Sequence, residues 1–273
     1  MNERAATGLA YAATDGAAYD IFLGRWTERL SQPFLDFIDP PDGALLDVGC
    51  GTGSLARAMK HRWPERRVCG IDVSDAYVAF ACGQADAEID YRVADAMKLP
   101  QASNTFAAAA AQLVLNFVPD PRVALREMMR VTRSGGVVAA SVWDFRGGLV
   151  FQRMFWDTAA GIDPGAGQVR DKLFSGALAL PDGLEKLFDE SGLERVRRGS
   201  LTIRMDYASF DDYWEPLLGG QGPVGTYAAG LDPDLRRQVK ASVRAAFLSG
   251  APDGPRSLTA TAWAVRGRVP QRR

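Results

Sequence analysis

The feature that most constrains the fold of this chain is the segment 45–56, which reads Leu-Leu-Asp-Val-Gly-Cys-Gly-Thr-Gly-Ser-Leu-Ala. Its apolar start is typical of a strand that is covered on both faces of a parallel sheet. Three glycines follow at alternate positions, Gly49, Gly51 and Gly53. Glycine lets the backbone turn sharply and approach a ligand closely. A helix that begins near Ser54 would direct its free N–H groups at the same point, so the segment predicts a nucleotide-sized pocket built largely from backbone.

Composition and charge limit the class of protein and its partners. The length of 273 residues predicts one large domain or one domain with an elaborated cap. The residues are 47% hydrophobic and 24% charged, which is typical of an ordinary globular protein. The formal net charge is −1, and a nucleic-acid-binding domain normally presents a basic face, so we expect no nucleic-acid partner. We interpret the clustered arginines of the second half as solvated surface charges: Arg195, Arg197, Arg198, Arg266, Arg268, Arg272 and Arg273.

Cysteine and histidine usage, together with the absence of long apolar runs, indicates the compartment. The cysteines Cys50, Cys69 and Cys82 are odd in number, which favours reduced thiols in a cytoplasmic protein over a disulfide framework. No metal-ligand spacing is present and His61 is the single histidine, so we expect no bound metal. The sequence contains neither a signal segment nor a run of about 18 apolar residues, so we expect no membrane association.

The spacing of the glycine turn separates two kinds of nucleotide site. A dinucleotide site uses G-x-G-x-x-G/A, whereas here the third glycine comes one residue earlier and Ser54 follows it. A strand that contains Asp47 and runs into G-x-G-x-G resembles the first motif of class I S-adenosylmethionine-dependent methyltransferases. The residues of this segment that the resemblance assigns to the cofactor site are Asp47, Gly49, Cys50, Gly51 and Gly53.

The resemblance also implies a fold and a cofactor. The expected fold class is α/β, a Rossmann-like, seven-stranded, mostly parallel sheet with helices on both faces and an antiparallel last strand. The cofactor would be S-adenosyl-L-methionine and the product S-adenosyl-L-homocysteine. We expect effectively one domain, whose parts are N-terminal cap helices (1–40), a cofactor-binding core (41–145) and a remainder (146–273) with helical cap insertions at about 146–180 and 207–250.

Carboxylates end or follow two further predicted strands. Asp72 ends the second strand, where a carboxylate can accept hydrogen bonds from both ribose hydroxyls. In the resemblance, Asp95 after the third strand accepts from the adenine amino group, and the backbone N–H of Ala96 faces the ring nitrogens. Val73 and Met97 would then lie on either side of the adenine.

The fourth and fifth strands are predicted to end beside the methyl-transfer site, because the carboxyl ends of parallel strands line the ligand crevice of an open α/β sheet. Gln112 ends the fourth strand, and Asn116 stands where many relatives carry a histidine, so a histidine base is not expected here. Asp120-Pro121 predicts a helix start. We expect that helix to reach Arg133 and the fifth strand to cover 137–143.

The N-terminal helices are predicted to fold over the cofactor. Apolar residues recur at helical spacing after Tyr19, with Pro33 beginning a second helix. The run Tyr-Asp-x-Phe-x-Gly-Arg-Trp is similar to one found in a subgroup of small-molecule methyltransferases. In that resemblance Tyr19 and either Arg25 or Arg29 close over the methionine end, with the arginine pairing with its carboxylate. The alternative is that both arginines are surface charges.

Aromatic residues at the end of the fifth strand and in the cap are the candidates for the substrate pocket. Trp143, Tyr213 and Trp214 would join Asn116 there, and the alternative is that they only pack the cap against the core. A general base is needed only if the acceptor holds a proton that solvent cannot remove. Asp144 and Tyr213 are the candidate bases, although we favour a reaction without a dedicated one.

The predicted function is transfer of a methyl group to an O, N or C nucleophile of a small molecule by a monomer or homodimer. The first alternative is a catalytically silent S-adenosylmethionine-binding scaffold or regulatory protein. A second is an NAD-type oxidoreductase, which Ser54 disfavours because a dinucleotide turn needs its third glycine there. A nucleic-acid methyltransferase is disfavoured by the charge and by the lack of an Asn/Asp-Pro-Pro-aromatic motif after the fourth strand.

Overall fold

The computed structural model of the protein describes residues 15–84 and 88–271. The first fourteen residues of the predicted cap region, as well as Arg272 and Arg273, lie outside the described residues. Seven strands form one sheet in the order β3-β2-β1-β4-β5-β7-β6. Their bounds are β1 Leu45–Val48, β2 Val68–Asp72, β3 Ile89–Val93, β4 Phe106–Gln112, β5 Thr132–Trp143, β6 Glu194–Tyr207 and β7 Arg256–Arg268.

The sheet confirms the predicted fold class. The pairs β1–β2, β1–β4, β2–β3 and β4–β5 are parallel. The last strand, β7, inserts antiparallel between β5 and β6. Every residue of β1 and β4 is buried, as expected for central strands with helices on both faces. The carboxyl ends of the first four strands therefore meet at one edge of the sheet.

Helices connect the strands and cover both faces. Before the sheet come α1 Gly16–Tyr19, a π-helix Asp20–Gly24 and α2 Arg25–Ile38. The crossover helices are α3 Ser54–Arg62, α4 Asp75–Gly83 and α5 Pro121–Val131. Between β5 and β6 lie α6 Val150–Ala160, α7 Pro164–Ser175 and α8 Gly183–Asp189. Between β6 and β7 lie α9 Phe210–Trp214, α10 Gly222–Gly230 and α11 Pro233–Leu248.

The predicted helix start at Asp120-Pro121 is confirmed by its cap, and α4 begins with a cap of the same kind. Asp120 accepts hydrogen bonds from the backbone N–H groups of Arg122 and Val123, with Pro121 at the first helical position. Ser74 accepts from the backbone N–H of Tyr77 and begins α4. These caps satisfy backbone donors that a helix leaves unpaired. They also hold the loops after β2 and β4 at the carboxyl edge of the sheet.

Pro33 does not begin a second helix, as the sequence had suggested, but lies inside α2. Trp26, Leu30 and Phe34 form the apolar face of that helix, and each is 2% exposed or less. Burial of this continuous face outweighs the single backbone hydrogen bond that proline removes.

The boundary between α5 and β5 also differs from the prediction. The helix ends at Val131 rather than Arg133, and the strand begins at Thr132 rather than at residue 137. Thr132 pairs with Phe106 of β4 before the register shifts, so tertiary pairing extends the strand through a glycine pair. Gly135, with a φ of +74°, lies within the strand instead of capping the helix.

The helices between the later strands occupy the segments where insertions were predicted. Aromatic side chains of α6 and α9 pack together with Tyr207, at the end of β6, and Phe247, in α11. None of the helices in the described part of the chain is long and apolar enough to cross a bilayer. The division into a core and a cap remains a prediction.

Candidate functional site

A cavity of about 350 Å³ opens at the carboxyl ends of the first four strands. This is the edge at which the sequence placed the cofactor. The predicted cofactor residues that line the cavity are Tyr19, Asp47, Gly49, Cys50, Gly51, Asp72, Val73, Asp95, Ala96, Met97 and Gln112. Gly53 is not in the lining and is the N-cap residue that precedes α3, with a φ of +90°. Residues that are far apart in sequence are thus gathered around one space.

The glycine turn shapes the wall of the cavity between β1 and α3. Gly49 has a φ of +71°, and a Cβ placed on it would lie 2.5 Å from both methyl carbons of Val114. A side chain there would therefore be strained and would also collide with the segment after β4. Gly51 has a φ of +53°, and a Cβ placed on it would meet no protein atom within 4 Å. The space beside the backbone of Gly51 is open to a ligand.

Asp72 is held at the end of β2 by the two loops that flank it. Its Oδ2 accepts a hydrogen bond from the backbone N–H of Gly51 at 2.9 Å, and its Oδ1 accepts from that of Ser74 at 2.9 Å. Burial raises the pKa of this carboxyl, and the backbone hydrogen bonds partly offset that effect. Each oxygen keeps a lone pair, so the carboxylate can accept two further hydrogen bonds from neighbouring hydroxyls.

Asp47 lies at the floor of the cavity and is 1% exposed. One oxygen accepts a hydrogen bond from the backbone N–H of Ala56, in the first turn of α3, at 3.0 Å. Burial raises the pKa of Asp47 to about 8, and the nearby charge of Asp72 adds to the increase. Burial therefore favours the protonated form of this carboxyl.

The wall formed by the loops after β2 and β3 suits a flat aromatic ring. Val73 is an apolar side chain that is 73% exposed, and it lines the cavity together with Met97. Asp95 accepts a hydrogen bond from the backbone N–H of Met97 at 2.8 Å, which folds the loop into a tight turn. The second carboxylate oxygen remains available as an acceptor at the edge of that ring site.

The lining residues that can carry a charge near neutral pH are all acidic. They are Asp47, Asp72 and Asp95, and no lysine, arginine or histidine among the residues described joins them. Such a lining favours a ligand that brings hydrogen-bond donors or positive charge. It offers no cation to the pyrophosphate of a dinucleotide.

The two candidate arginines lie outside the cavity. Arg25 forms an ion pair with Asp212 at 3.0 Å and lies over the ring of Trp26. Arg29 forms an ion pair with Asp206 at 2.6 Å. Arg25 therefore links α2 to α9, Arg29 links α2 to β6, and the structure does not bring either of them to the cavity.

The candidate substrate and catalytic residues are not brought to the cavity either. Tyr213 is 2% exposed and donates its hydroxyl hydrogen bond to the carbonyl of Phe151 at 2.9 Å. Trp143 and Trp214 are buried in the same apolar cluster, which also includes residues of α2 and the sheet. Asp144 accepts from two backbone N–H groups of the turn that follows it. Asn116 belongs to a short 3-10 helix, and its neighbour Phe117, rather than Asn116 itself, lines the cavity.

Two groups of lining residues escaped the sequence analysis. One is an apolar wall after β4, formed by Leu113, Val114, Phe117, Val118 and Pro119. The other is polar and comes from α2 and α3, with Thr27 and Ser54 in the lining. Thr27 and Ser31 stand four residues apart on an otherwise apolar helix face, and this spacing was the available signal for that group.

Comparison with known proteins points to one family. A family model described as a methyltransferase domain matches residues 46–140, which contain the glycine turn and Asp72, Asp95 and Gln112. The chain is 41% identical over 128 residues to a ubiquinone/menaquinone biosynthesis C-methyltransferase of Desulfotalea psychrophila, covering 43% of this chain and 50% of that protein. It is 32% identical to a 2-phytyl-1,4-naphtoquinone methyltransferase of Thermosynechococcus vestitus, covering 61% and 79%.

A solved structure shares the fold at low sequence identity. It is a phosphoethanolamine N-methyltransferase of Haemonchus contortus in complex with phosphomonomethylethanolamine and S-adenosylhomocysteine, with a TM-score of 0.58 and 15% identity. The similarity covers 94% of this chain and 57% of that one. The chain spans 35%, 50% and 57% of the length of the first three curated relatives it matches.

Proposed function

Because the chain belongs to the class I S-adenosylmethionine-dependent methyltransferases, we propose that it transfers a methyl group from S-adenosylmethionine to an O, N or C nucleophile of a small molecule. The observation that carries this proposal is the row of acceptors at the strand ends, Asp47, Asp72 and Asp95, without a basic side chain among the described lining residues. S-adenosylmethionine brings a sulfonium, an amino group and two ribose hydroxyls, which match such a lining.

The residues present fit this cofactor. Asp72 would accept from the ribose hydroxyls, since each oxygen already lies at a backbone-fixed position. Val73 and Met97 would cover the faces of the adenine, and Asp95 would accept from its amino group. The open space beside Gly51 would admit the methionine end. When bound, the cofactor supplies an electrophilic methyl group on a positively charged sulfur, and the protein binds, orients and excludes water.

We assign the acceptor to the apolar wall after β4. In this proposal the adenine would lie near β3, the ribose near β2 and the methionine near β1, which follows the order of the strands in the sheet. The methyl group would then point toward the end of β4. Leu113 and Phe117 on that wall would hold an apolar or aromatic acceptor. The two curated relatives described above are named for quinone substrates, and a reduced quinone has an apolar body of this kind.

No dedicated base is assigned to the reaction. Asp144 and Tyr213 already bond within their own surroundings, outside the cavity. The acceptor would therefore lose its proton to water or arrive ionised.

We further propose that the protein acts in the cytoplasm as a monomer or homodimer with a small-molecule acceptor and no nucleic-acid partner. The net charge of −1 supports the absence of a nucleic-acid partner. Light scattering with and without the cofactor measures the oligomeric state.

Calorimetry separates this function from the alternatives. We expect S-adenosylmethionine and S-adenosylhomocysteine to bind at micromolar concentrations and NAD not to bind; binding of NAD alone would establish an oxidoreductase instead. Release of S-adenosylhomocysteine is then measured with a panel of quinols, phenols, amines and carboxylic acids. Cofactor binding without turnover on the whole panel would favour a silent scaffold or regulatory protein.

A further inference from the structure

A buried polar cluster joins α2 to the floor of the cavity. It comprises Thr27, Ser31, Ser54 and Gln112, each 8% exposed or less. The amide nitrogen of Gln112 donates to the backbone carbonyl of Thr27 at 2.9 Å and to Oγ of Ser31 at 3.2 Å. The hydroxyl groups of Thr27 and Ser54 are 2.9 Å apart. This polar cluster therefore fixes the end of β4 to the helix that covers the sheet.

The donors in the polar cluster determine which way the Gln112 amide points. Ser31 uses its hydroxyl proton on the carbonyl of Thr27, at 2.8 Å, so its oxygen faces Gln112 as an acceptor. The Thr27 carbonyl can only accept. Both partners on the α2 side thus require the NH₂ group of Gln112, and the reversed amide would place two acceptors against each other. The carbonyl oxygen of Gln112 must point away from α2.

That carbonyl oxygen has no hydrogen-bond partner among the described residues, although it is fully buried. An unsatisfied buried acceptor costs about 1–3 kcal/mol, so the missing donor needs an explanation. The side chain of Gln112 lines the cavity. Ser141, the register partner of Gln112 on β5, has a buried hydroxyl without a partner as well, so it does not supply the donor.

The ligand that the proposed function assigns to the cavity carries a suitable donor. Gln112 ends β4, next to β1 in the sheet, and therefore borders the methionine end rather than the ribose or adenine. The amino group is the hydrogen-bond donor at that end. We propose that the side-chain oxygen of Gln112 accepts a hydrogen bond from the α-amino group of the cofactor, in an amide orientation that Thr27 and Ser31 of α2 enforce. This inference rests on the proposed function and names one contact within it.

Three ligands measured by calorimetry test the contact. They are S-adenosylhomocysteine, its analogue without the α-amino group, and 5′-methylthioadenosine, which lacks the whole amino-acid part. The wild-type protein should bind S-adenosylhomocysteine at least about 10-fold more tightly than the deaminated analogue, since a hydrogen bond to a charged group is lost. Gln112→Met should abolish that preference and leave methylthioadenosine binding within about 2-fold. Ser141→Ala is the matched control and should retain the preference.

The outcomes separate the inference from the function on which it rests. A Gln112→Met protein that keeps the preference for the amino group, or that loses affinity for all three ligands alike, overturns the contact. If Gln112→Met does not fold, Gln112→Asn withdraws the oxygen by one methylene and should lose the preference in the same way. A wild-type protein that binds neither S-adenosylhomocysteine nor methylthioadenosine contradicts the proposed function itself.

Discussion

The backbone N–H of Gly51 donates to Oδ2 of Asp72 at 2.9 Å. This hydrogen bond joins the glycine turn after β1 to the last residue of β2, across two adjacent parallel strands. The turn and the carboxylate are therefore parts of one rigid unit, and a ligand that contacts Asp72 also contacts the open space beside Gly51. Such preorganisation lowers the entropy cost of binding.

Asp72→Ala should weaken the binding of S-adenosylhomocysteine by about 10- to 100-fold, because one or two hydrogen bonds between ribose hydroxyls and a charged group are lost. The measurement is calorimetric titration at constant pH and salt. Asp75→Ala, an exposed acidic residue three positions along the same loop and helix start, is the control and should bind normally. Wild-type affinity in the Asp72 variant would remove the ribose contact.

Stability should depend on pH through Asp47. The folded-state pKa of about 8 lies above the ordinary aspartic acid value of 3.8, so the folded protein holds this proton more tightly than the unfolded chain. The corresponding stability is fully present below about pH 4 and is lost as the pH rises toward 8, by up to about 1.4 kcal/mol per pH unit.

Asp47→Asn isolates this contribution, because asparagine keeps an oxygen for the N–H of Ala56 and does not titrate. Urea unfolding without cofactor at pH 5, 6, 7 and 8 gives the free energy of unfolding of both proteins. We expect the wild type to lose stability relative to the variant as the pH rises. If the free energies of unfolding of the two proteins changed in parallel with pH, Asp47 would be ionised throughout this range.

Two glycine substitutions should separate folding from binding. Gly51→Ala should lower the free energy of unfolding by about 1–2 kcal/mol through its positive φ, and it should also weaken cofactor binding because the new methyl group enters open space. Gly49→Ala should be more destabilising, since its Cβ would collide with Val114. Adding Val114→Ala should recover part of that loss. Equal stability of the two single variants would contradict this account.

Replacing Arg25 or Arg29 with methionine should change cofactor affinity by less than about 3-fold. Arg25 forms a partly exposed ion pair with Asp212 of α9, and Arg29 forms one with Asp206 of β6. Such pairs contribute about 0–1 kcal/mol to stability. Thermal unfolding should therefore show small shifts and calorimetry almost none. A 10-fold loss of affinity in either variant would support the contact between that arginine and the cofactor carboxylate that the resemblance implied. In that case α2 would have to move when the cofactor binds.

The fold and the strand-end residues could be predicted from the sequence because both depend on local patterns. The glycine turn, Asp72, Asp95 and Gln112 each end or follow a strand, and parallel strands bring their carboxyl ends to one edge whatever the cap does. The register of β5 could not be predicted in the same way. Thr132 joins that strand only because Phe106 lies beside it in the sheet.

The sequence by itself determined which residues end or follow the strands, and the resemblance that these residues carry indicated the family. Only the tertiary structure decided what the helices and the cap contribute. It directs Arg25 to Asp212, buries Tyr213 and Trp214 in the cap, and brings Thr27 and Ser31 against Gln112. The residues that are hydrogen-bonded in these contacts lie 62 to 187 positions apart in the sequence. No local periodicity encodes such pairs, because each depends on how the amphipathic faces of separate elements pack together.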